Sequence, residues 1–263
     1  MSSPQQPQLE QVIQWAKEAG DIARAGLSQK FDVALKGRSD LVTEIDYRCE
    51  QHLINAIRSA YPAHAILSEE AGEVNGETGD RWFIDPLDGT VNYAHHIPFY
   101  AVCLAWQSGA RLQLGVVYDP AHDECFYAER GRGAWLNGER LAVNTTSDLE
   151  RSLHATAFAR QDDQLFQRNL QYFAHLSRHS FGVRRIGCAA LELCYVACGR
   201  TDAYWEQGIN AWDIAAAALI VEEAGAVVTG LDGDPDFFKP PYALLASTPL
   251  LHPQLVKLFA QMQ

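Results

Sequence analysis

The period of the hydrophobic pattern changes along this chain, and that change limits the folds open to it more than any other feature. From Leu9 to Leu27 the apolar residues Leu9, Val12, Ile13, Ala16, Ala19, Ile22 and Ala23 recur at helical spacing, which predicts an amphipathic helix laid on a core. A second helix is predicted from about Glu44 to Ala60, where Tyr61-Pro62 ends it. Between Trp82 and Tyr127 the signal turns to strands, at Trp82-Phe83-Ile84, Tyr100 to Trp106, Leu112 to Tyr118 and Glu124 to Tyr127, and Asn137-Gly138 marks a tight hairpin turn. The second half alternates. A helix at about Ala189 to Ala197 is followed by a strand at Asp202 to Trp205, a helix at Trp212 to Ala224, strands near Val227 and Leu244, and a closing helix from about Pro253. A meander of strands followed by mixed elements, without repeats or long linkers, predicts a layered α/β or α+β architecture.

A chain of 263 residues, 48% of them hydrophobic, can bury a substantial core as one large domain or two closely joined ones. Met1 to Gln8 is polar and carries prolines, with neither a basic n-region nor an apolar h-region, and reads as a short flexible tail. No uninterrupted apolar run approaches the roughly 18 residues of a membrane span, so a soluble, cytoplasmic protein without membrane contact is expected. The formal net charge of -12 opposes a nucleic acid backbone, and the tight basic pair of note is Arg184-Arg185. Nucleic acid is therefore not expected as the main ligand. An acidic protein that handles an anion needs cations to reverse the local field, which directs attention to carboxylates able to hold a divalent metal. The six cysteines form no C-x-x-C pair and are expected to be reduced.

The segment Trp82-Phe83-Ile84-Asp85-Pro86-Leu87-Asp88-Gly89-Thr90 is the richest in chemistry. An apolar strand delivers two aspartates at its end. Pro86 removes a backbone donor and fixes a bend, so that the Asp85 and Asp88 side chains and the Leu87 carbonyl can converge on one point. Gly89 permits close backbone approach, and a helix beginning there would aim the Gly89 and Thr90 amides at an anion beside the metals. Hard oxygen ligands beside a phosphate cradle are what Mg²⁺-assisted phosphoryl transfer requires. Taken alone, D-x-x-D is also an ordinary Asx turn that caps backbone groups. Ser68-Glu69-Glu70-Ala71-Gly72 adds two acids after the apolar Ala65-Ile66-Leu67, and Ala211-Trp212-Asp213-Ile214-Ala215 adds an aspartate at the start of an apolar helix. Each has its own plain reading, as a solvated loop and as a first-turn helix acid.

Four blocks, Lys36 to Asp46, Ser68-Glu69-Glu70, Trp82 to Asn92, and Glu206 to Asp213, stand in the order and spacing of the inositol monophosphatase family, which the chain resembles over nearly its whole length. Arg184-Arg185-Ile186-Gly187-Cys188-Ala189-Ala190 resembles the bacterial branch. The resemblance implies a layered α-β-α-β-α sandwich similar to the fructose-1,6-bisphosphatases, with residues 9–263 as one catalytic domain. It implies two or three Mg²⁺ ions per site, one held by Glu69, Asp85 and the Leu87 carbonyl and a second by Asp85, Asp88 and Asp213. In the family's mechanism a water activated at the metals attacks phosphorus in line, without a phosphoenzyme. Glu69 and the pair Thr90 and Asp46 would orient and deprotonate that water, while the Gly89 and Thr90 amides would hold phosphate oxygens. Glu206, with Gly187 and Ala189, matches positions that meet the hydroxyl-rich alcohol, and Lys36 has a supporting place near the metals. Asn210 stands where some relatives carry His or Arg, and a neutral residue there favours monophosphates over bisphosphates. The resemblance further implies lithium sensitivity, a homodimer and a phosphorylated polyol or sugar as substrate. Histidinol-phosphate phosphatase and sugar bisphosphatase are the alternatives on the same scaffold. A role bound to transcription machinery is the alternative of another class.

The remaining signals have plainer readings. Gly131-Arg132-Gly133 precedes Asn137-Gly138 and reads as part of a hairpin rather than a dinucleotide loop. Asn144-Thr145-Thr146 is a formal sequon that an intracellular protein leaves unmodified. Cys194 and Cys198 lack the further ligands of a zinc set and read as small core residues, and His95-His96 reads as a loop.

Overall fold

The computed structural model describes residues 6–29, 31–35, 41–159 and 162–262. Lys36 and the first five residues of the predicted tail lie outside the described residues. The helices are α1 (Leu9–Leu27), α2 (Glu44–Ala60), the short α3 (Thr90–Ala94), α4 (Asp163–His179), α5 (Ala189–Ala197), α6 (Ala211–Glu223) and α7 (His252–Gln261). Thr43 starts α2 with a capping box, its hydroxyl accepting from the Ile45 and Asp46 amides while Asp46 Oδ2 accepts from the Thr43 amide at 2.9 Å.

Strands β1 (Val33–Leu35) and β2 (Leu41–Thr43) form an antiparallel pair of their own. The large sheet comprises β3 (Ala65–Ser68), β4 (Gly72–Val74), β5 (Asp80–Asp88), β6 (Ala101–Ser108), β7 (Arg111–Asp119), β8 (Glu124–Glu129), β9 (Ala134–Leu136) and β10 (Glu139–Arg140), in the order β10-β9-β8-β7-β6-β5-β3-β4. It is antiparallel except where β3 runs parallel to β5. Asn137 and Gly138, both in the left-handed region, turn β9 into β10 as the sequence predicts. The second sheet joins β11 (Leu153–Thr156), β12 (Gly182–Arg184), β13 (Ala203–Gln207), β14 (Val227–Thr229) and β15 (Ala243–Ser247) in the order β12-β11-β13-β15-β14.

Alternation along the strands assigns each side chain to a layer. Trp82 and Ile84 of β5 join Val102, Leu104 and Trp106 of β6 against Val12, Trp15, Ala16 and Ala19 of α1 and Leu53 and Ile57 of α2. Phe83, Cys103, Ala105 and Val117 face the other way, onto Leu191 and Leu193 of α5 and the Ala215–Val221 run of α6. Tyr204, Leu244 and Ala246 of the second sheet close the far side of those two helices. Trp205 and Leu245 point outward onto Tyr172 and Leu176 of α4 and Leu255 and Phe259 of α7. The fold is thus a five-layer α-β-α-β-α sandwich. Its middle helix α6 is apolar on every side because sheets cover it on both, and it lies tightly on the large sheet. A Cβ on Gly115 of β7 would stand 2.6 Å from the Ala216 carbonyl oxygen.

Candidate active site

The pairing of β5 with β6 contains one irregularity, and the acids are there. Asp85 pairs with Cys103 and Asp88 with Ala101, so three steps on β5 answer two on β6 and one residue bulges out around Pro86-Leu87. The bulge breaks strict alternation. It brings Asp85, the Leu87 carbonyl and Asp88 to one end of the strand, where Asp85 Oδ1 accepts from the Leu87 amide at 3.0 Å. Parallel β3 delivers Glu69 beside Asp85, with the Glu69 amide donating to the Ile84 carbonyl at 3.2 Å. Helix α6 contributes Asp213 from its first turn, where Asp213 Oδ2 accepts from the Asn210 amide at 2.9 Å. Asp88 is anchored across the layer, its Oδ2 accepting from the Ala190 amide at 2.7 Å and the Cys188 thiol at 3.1 Å.

These acids share a cleft of about 170 Å³ with Gly89, Thr90, Arg185 and Gly187. A second cleft of similar size, lined by Ala189, Cys188, Glu206 and Ile209, shares Asp88, Arg185, Gly187 and Asp213 with the first, so the two are continuous. Gly89 occupies the left-handed region at φ 93°, and a Cβ there would stand 2.9 Å from the Phe99 carbonyl oxygen. Glycine is the residue this corner admits. The anion cradle expected at the start of a helix is attached to a single short turn, Thr90–Ala94.

Behind the acids lies a hydroxyl–carboxylate pair. Thr90 Oγ1 stands 2.8 Å from Asp46 Oδ1 and 3.0 Å from the Leu87 carbonyl oxygen, and the other oxygen of Asp46 is held by Thr43. Asp46 is fully buried; burial raises its pKa above the usual carboxylate value, and hydrogen bonds from Thr43 and Thr90 oppose that shift.

Electrostatically the cleft gathers four acids of like charge, with Arg185 in its lining. Burial pushes the Asp85 carboxyl well above the usual carboxylate range, with Glu69, Asp88 and Asp213 adding repulsion. Burial likewise lifts Asp88 to about 6 and, with the charge of Asp88, Asp213 to about 7. Glu206 rises to about 8 through burial, opposed by the hydroxyl of Tyr204 that donates to it. Among the described residues no three His, Cys, Asp or Glu side chains form a closed ligating group. The donor chemistry nevertheless suits a hard divalent cation: carboxylates that share one cleft with a carbonyl oxygen and whose mutual repulsion such an ion would cancel.

Each predicted site residue within the described portion has a place here. Glu69, Asp85, Leu87, Asp88, Gly89, Thr90 and Asp213 line the first cleft, Gly187 lines both, Ala189 and Glu206 line the second, and Asp46 sits beneath Thr90. Asn210 reaches the site through Asp213. His95 and His96 are exposed and line neither cleft, and Cys194 is buried in the middle layer. Arg185 lines both clefts and was visible in sequence as half of a basic pair, without a signal that placed it in a site. Glu50, buried on α2, carries no signal in the sequence that singles it out. Its Oε1 accepts from the Glu70 and Ala71 amides, each at 3.0 Å, and from the Ser68 hydroxyl, which moors the loop that carries Glu69.

The inositol monophosphatase family model matches residues 5–263. The Nus factor SuhB of Pseudomonas aeruginosa is 42% identical over 250 residues, covering 92% of each chain. Among solved structures, the extragenic suppressor protein suhB of Bartonella henselae superposes with a TM-score of 0.90 at 35% identity, covering 95% of this chain and 97% of its own. The inositol monophosphatase of Anabaena (Nostoc) sp. PCC 7120 superposes with a TM-score of 0.86 at 38% identity, covering 96% and 95%.

Proposed function

This chain belongs to the inositol monophosphatase family, and from that premise we propose that it is a phosphatase that hydrolyses a small phosphate monoester, myo-inositol monophosphate foremost. The observation that carries the reading is the convergence of Glu69, Asp85, Asp88 and Asp213, from three separate parts of the chain, on one cleft floored by the Thr90–Asp46 pair. Two or three Mg²⁺ ions suit that donor set, with Glu69, Asp85 and the Leu87 carbonyl around one and Asp85, Asp88 and Asp213 around another. Bound there, Mg²⁺ would neutralise phosphate charge and acidify water.

The chain's own groups divide the remaining work. Asp46 accepts from Thr43 on one oxygen, so the Thr90 hydroxyl donates to the other and keeps its lone pairs for a water proton. Glu69, at the same cleft, would share in orienting and deprotonating that water. Gly89 allows its own amide and that of Thr90 to approach a phosphate oxygen closely. Glu206 in the adjoining cleft faces the alcohol, where a carboxyl lifted to about 8 can donate as well as accept hydrogen bonds to hydroxyls. Histidinol phosphate and sugar bisphosphates are the competing esters, and the neutral Asn210 argues against a second phosphate. Residues 9–263 would act as one catalytic domain, in a homodimer, and light scattering would test the latter.

Phosphate release from inositol-1-phosphate should require Mg²⁺, cease with a chelator and be suppressed by lithium. Undiminished turnover in excess chelator would overturn the metal reading. A second role, in contact with transcription machinery, is supported by the name Nus factor that the P. aeruginosa relative carries. Retention on immobilised RNA polymerase components would test it. Among the described residues no helix is long and apolar enough to cross a membrane.

A further inference from the structure

Glu192, which no step of the proposed reaction uses, is buried without solvent contact in the fourth position of α5, between two sheets. A carboxylate in such a place is costly unless both its oxygens are occupied. They are occupied by backbone: Oε1 accepts from the Ile186 amide at 3.0 Å and Oε2 from the Gly187 amide at 3.2 Å. The carbonyls of the same two residues meet Asn92, whose Nδ2 donates to the Ile186 carbonyl at 2.9 Å, lies 3.4 Å from the Gly187 carbonyl oxygen and donates also to the Phe99 carbonyl at 2.9 Å. Gly187 itself is in the left-handed region at φ 95°. Within this span Arg185 and Gly187 line both clefts, and Ala189 lines the one that contains Glu206.

We infer that Glu192 is a positioning residue for substrate specificity: its two oxygens clamp consecutive amides of the Arg185–Ala189 segment and so fix the wall against which the alcohol of the ester packs. The inference rests on the phosphatase reading above for the identity of that alcohol. The clamp itself rests on the two bonds alone. Its distinguishing mark is that a carboxylate can serve both amides and a carboxamide cannot. In Glu192→Gln the volume is preserved, one oxygen still accepts, and the new NH₂ confronts an N–H, donor against donor. An ordinary helix acid would tolerate that exchange.

Two measurements on E192Q test this. Amide exchange at Ile186 and Gly187 should accelerate by at least about tenfold while the α5 core retains its protection. At saturating Mg²⁺ the KM for inositol-1-phosphate should rise by about tenfold or more, whereas that for p-nitrophenyl phosphate, whose alcohol carries no hydroxyls to place, should change less than about twofold. Unchanged exchange, or equal losses on both esters, would overturn the inference. A wild type inactive on inositol-1-phosphate would defeat the substrate reading and leave the exchange result to decide the clamp. If E192Q cannot be purified, exchange in the wild type decides: Ile186 and Gly187 should be the slowest amides of the 185–189 segment, and fast exchange there refutes the clamp.

Discussion

The two faces of the large sheet are built from different materials. Against α1 and α2 the sheet presents Trp82, Ile84, Leu104 and Trp106, and the helices answer with Trp15, Leu53 and Ile57, a core of large interlocking side chains. Against α5 and α6 it presents Cys103, Ala105 and Gly115 beside Phe83 and Val117, and α6 answers with the alanine run Ala215 to Ala218. The first face stores stability in volume. The second brings backbones close, and that closeness lets a strand end, a helix start and a loop place acids in one cleft. Where the layers close over the acids, burial strips them of water and charge meets charge, and the cost appears in the raised carboxyls of Asp85, Asp88 and Asp213.

The sharpest test of the contrast is to remove charge from the thin face. In Asp88→Asn the new Oδ1 can still accept from the Ala190 amide, so the fold keeps its cross-layer bond. Turnover should fall by at least about 100-fold. The metal-free protein should melt no lower than wild type, because one of the repelling charges is gone. The stabilisation of roughly 2.7 kcal/mol expected for wild type in Mg²⁺ at 100 times its dissociation constant should shrink. If Asp88 were only a turn cap, the variant would lose about 1 kcal/mol with or without Mg²⁺ and keep its activity. On the thick face, Leu53→Ala should cost about 2–5 kcal/mol in urea unfolding and leave turnover per folded molecule unchanged. A drop in kcat there would show that the two faces are not separable.

These contrasts also explain what could be read from sequence. The thick face obeys period, so α1, α2 and β5 to β8 were predictable, and α2 was placed to the residue. Helix α4 went unread because its inward stripe includes Asn169, whose amide serves the Ala157 carbonyl and whose oxygen accepts from the Trp205 ring nitrogen. Strand β11 went unread for a related reason: it buries His154, which pairs with the neighbouring Ser152 hydroxyl, and Thr156, whose hydroxyl donates to the distant Trp205 carbonyl, so its letters look like loop. The acids around Pro86 were legible because strand, bend and carboxylates adjoin in the chain. Asp46 was not legible from period and entered through family resemblance. Arg185, Glu50 and Glu192 act through contacts that no spacing announces.

Two smaller effects sharpen the comparison further. Gly115→Ala pushes a methyl group toward the Ala216 carbonyl and should cost about 1–3 kcal/mol, with α6 and hence Asp213 displaced. Weaker Mg²⁺ binding, followed by calorimetry, should accompany that loss. The last effect is on pH. Asp88 and Asp213 are raised from 3.8 to about 6 and about 7, so between about pH 4 and 7 the metal-free folded state holds protons that the unfolded state has released. Stability without metal should therefore fall as pH rises through that window, with a slope on the order of 1 kcal/mol per pH unit for each proton retained. Mg²⁺ should flatten the slope. A metal-free protein whose melting temperature climbs from pH 5 to 7 would contradict the crowding described here.

The placement of Asp213 on α6, opposite the bulged end of β5, gives the acids a mechanical meaning as well as a chemical one. Asp85 belongs to one sheet and Asp213 to the helix that separates it from the other, at chain positions roughly 130 residues apart. A cation gripped by both would act as a rivet through the sandwich, fastening layers whose contact is otherwise apolar packing and the bond of Asp88 to the Ala190 amide. Pulled apart along the layer normal, the loaded protein should resist up to the rupture of that single fastening, and the unloaded one should delaminate along α6.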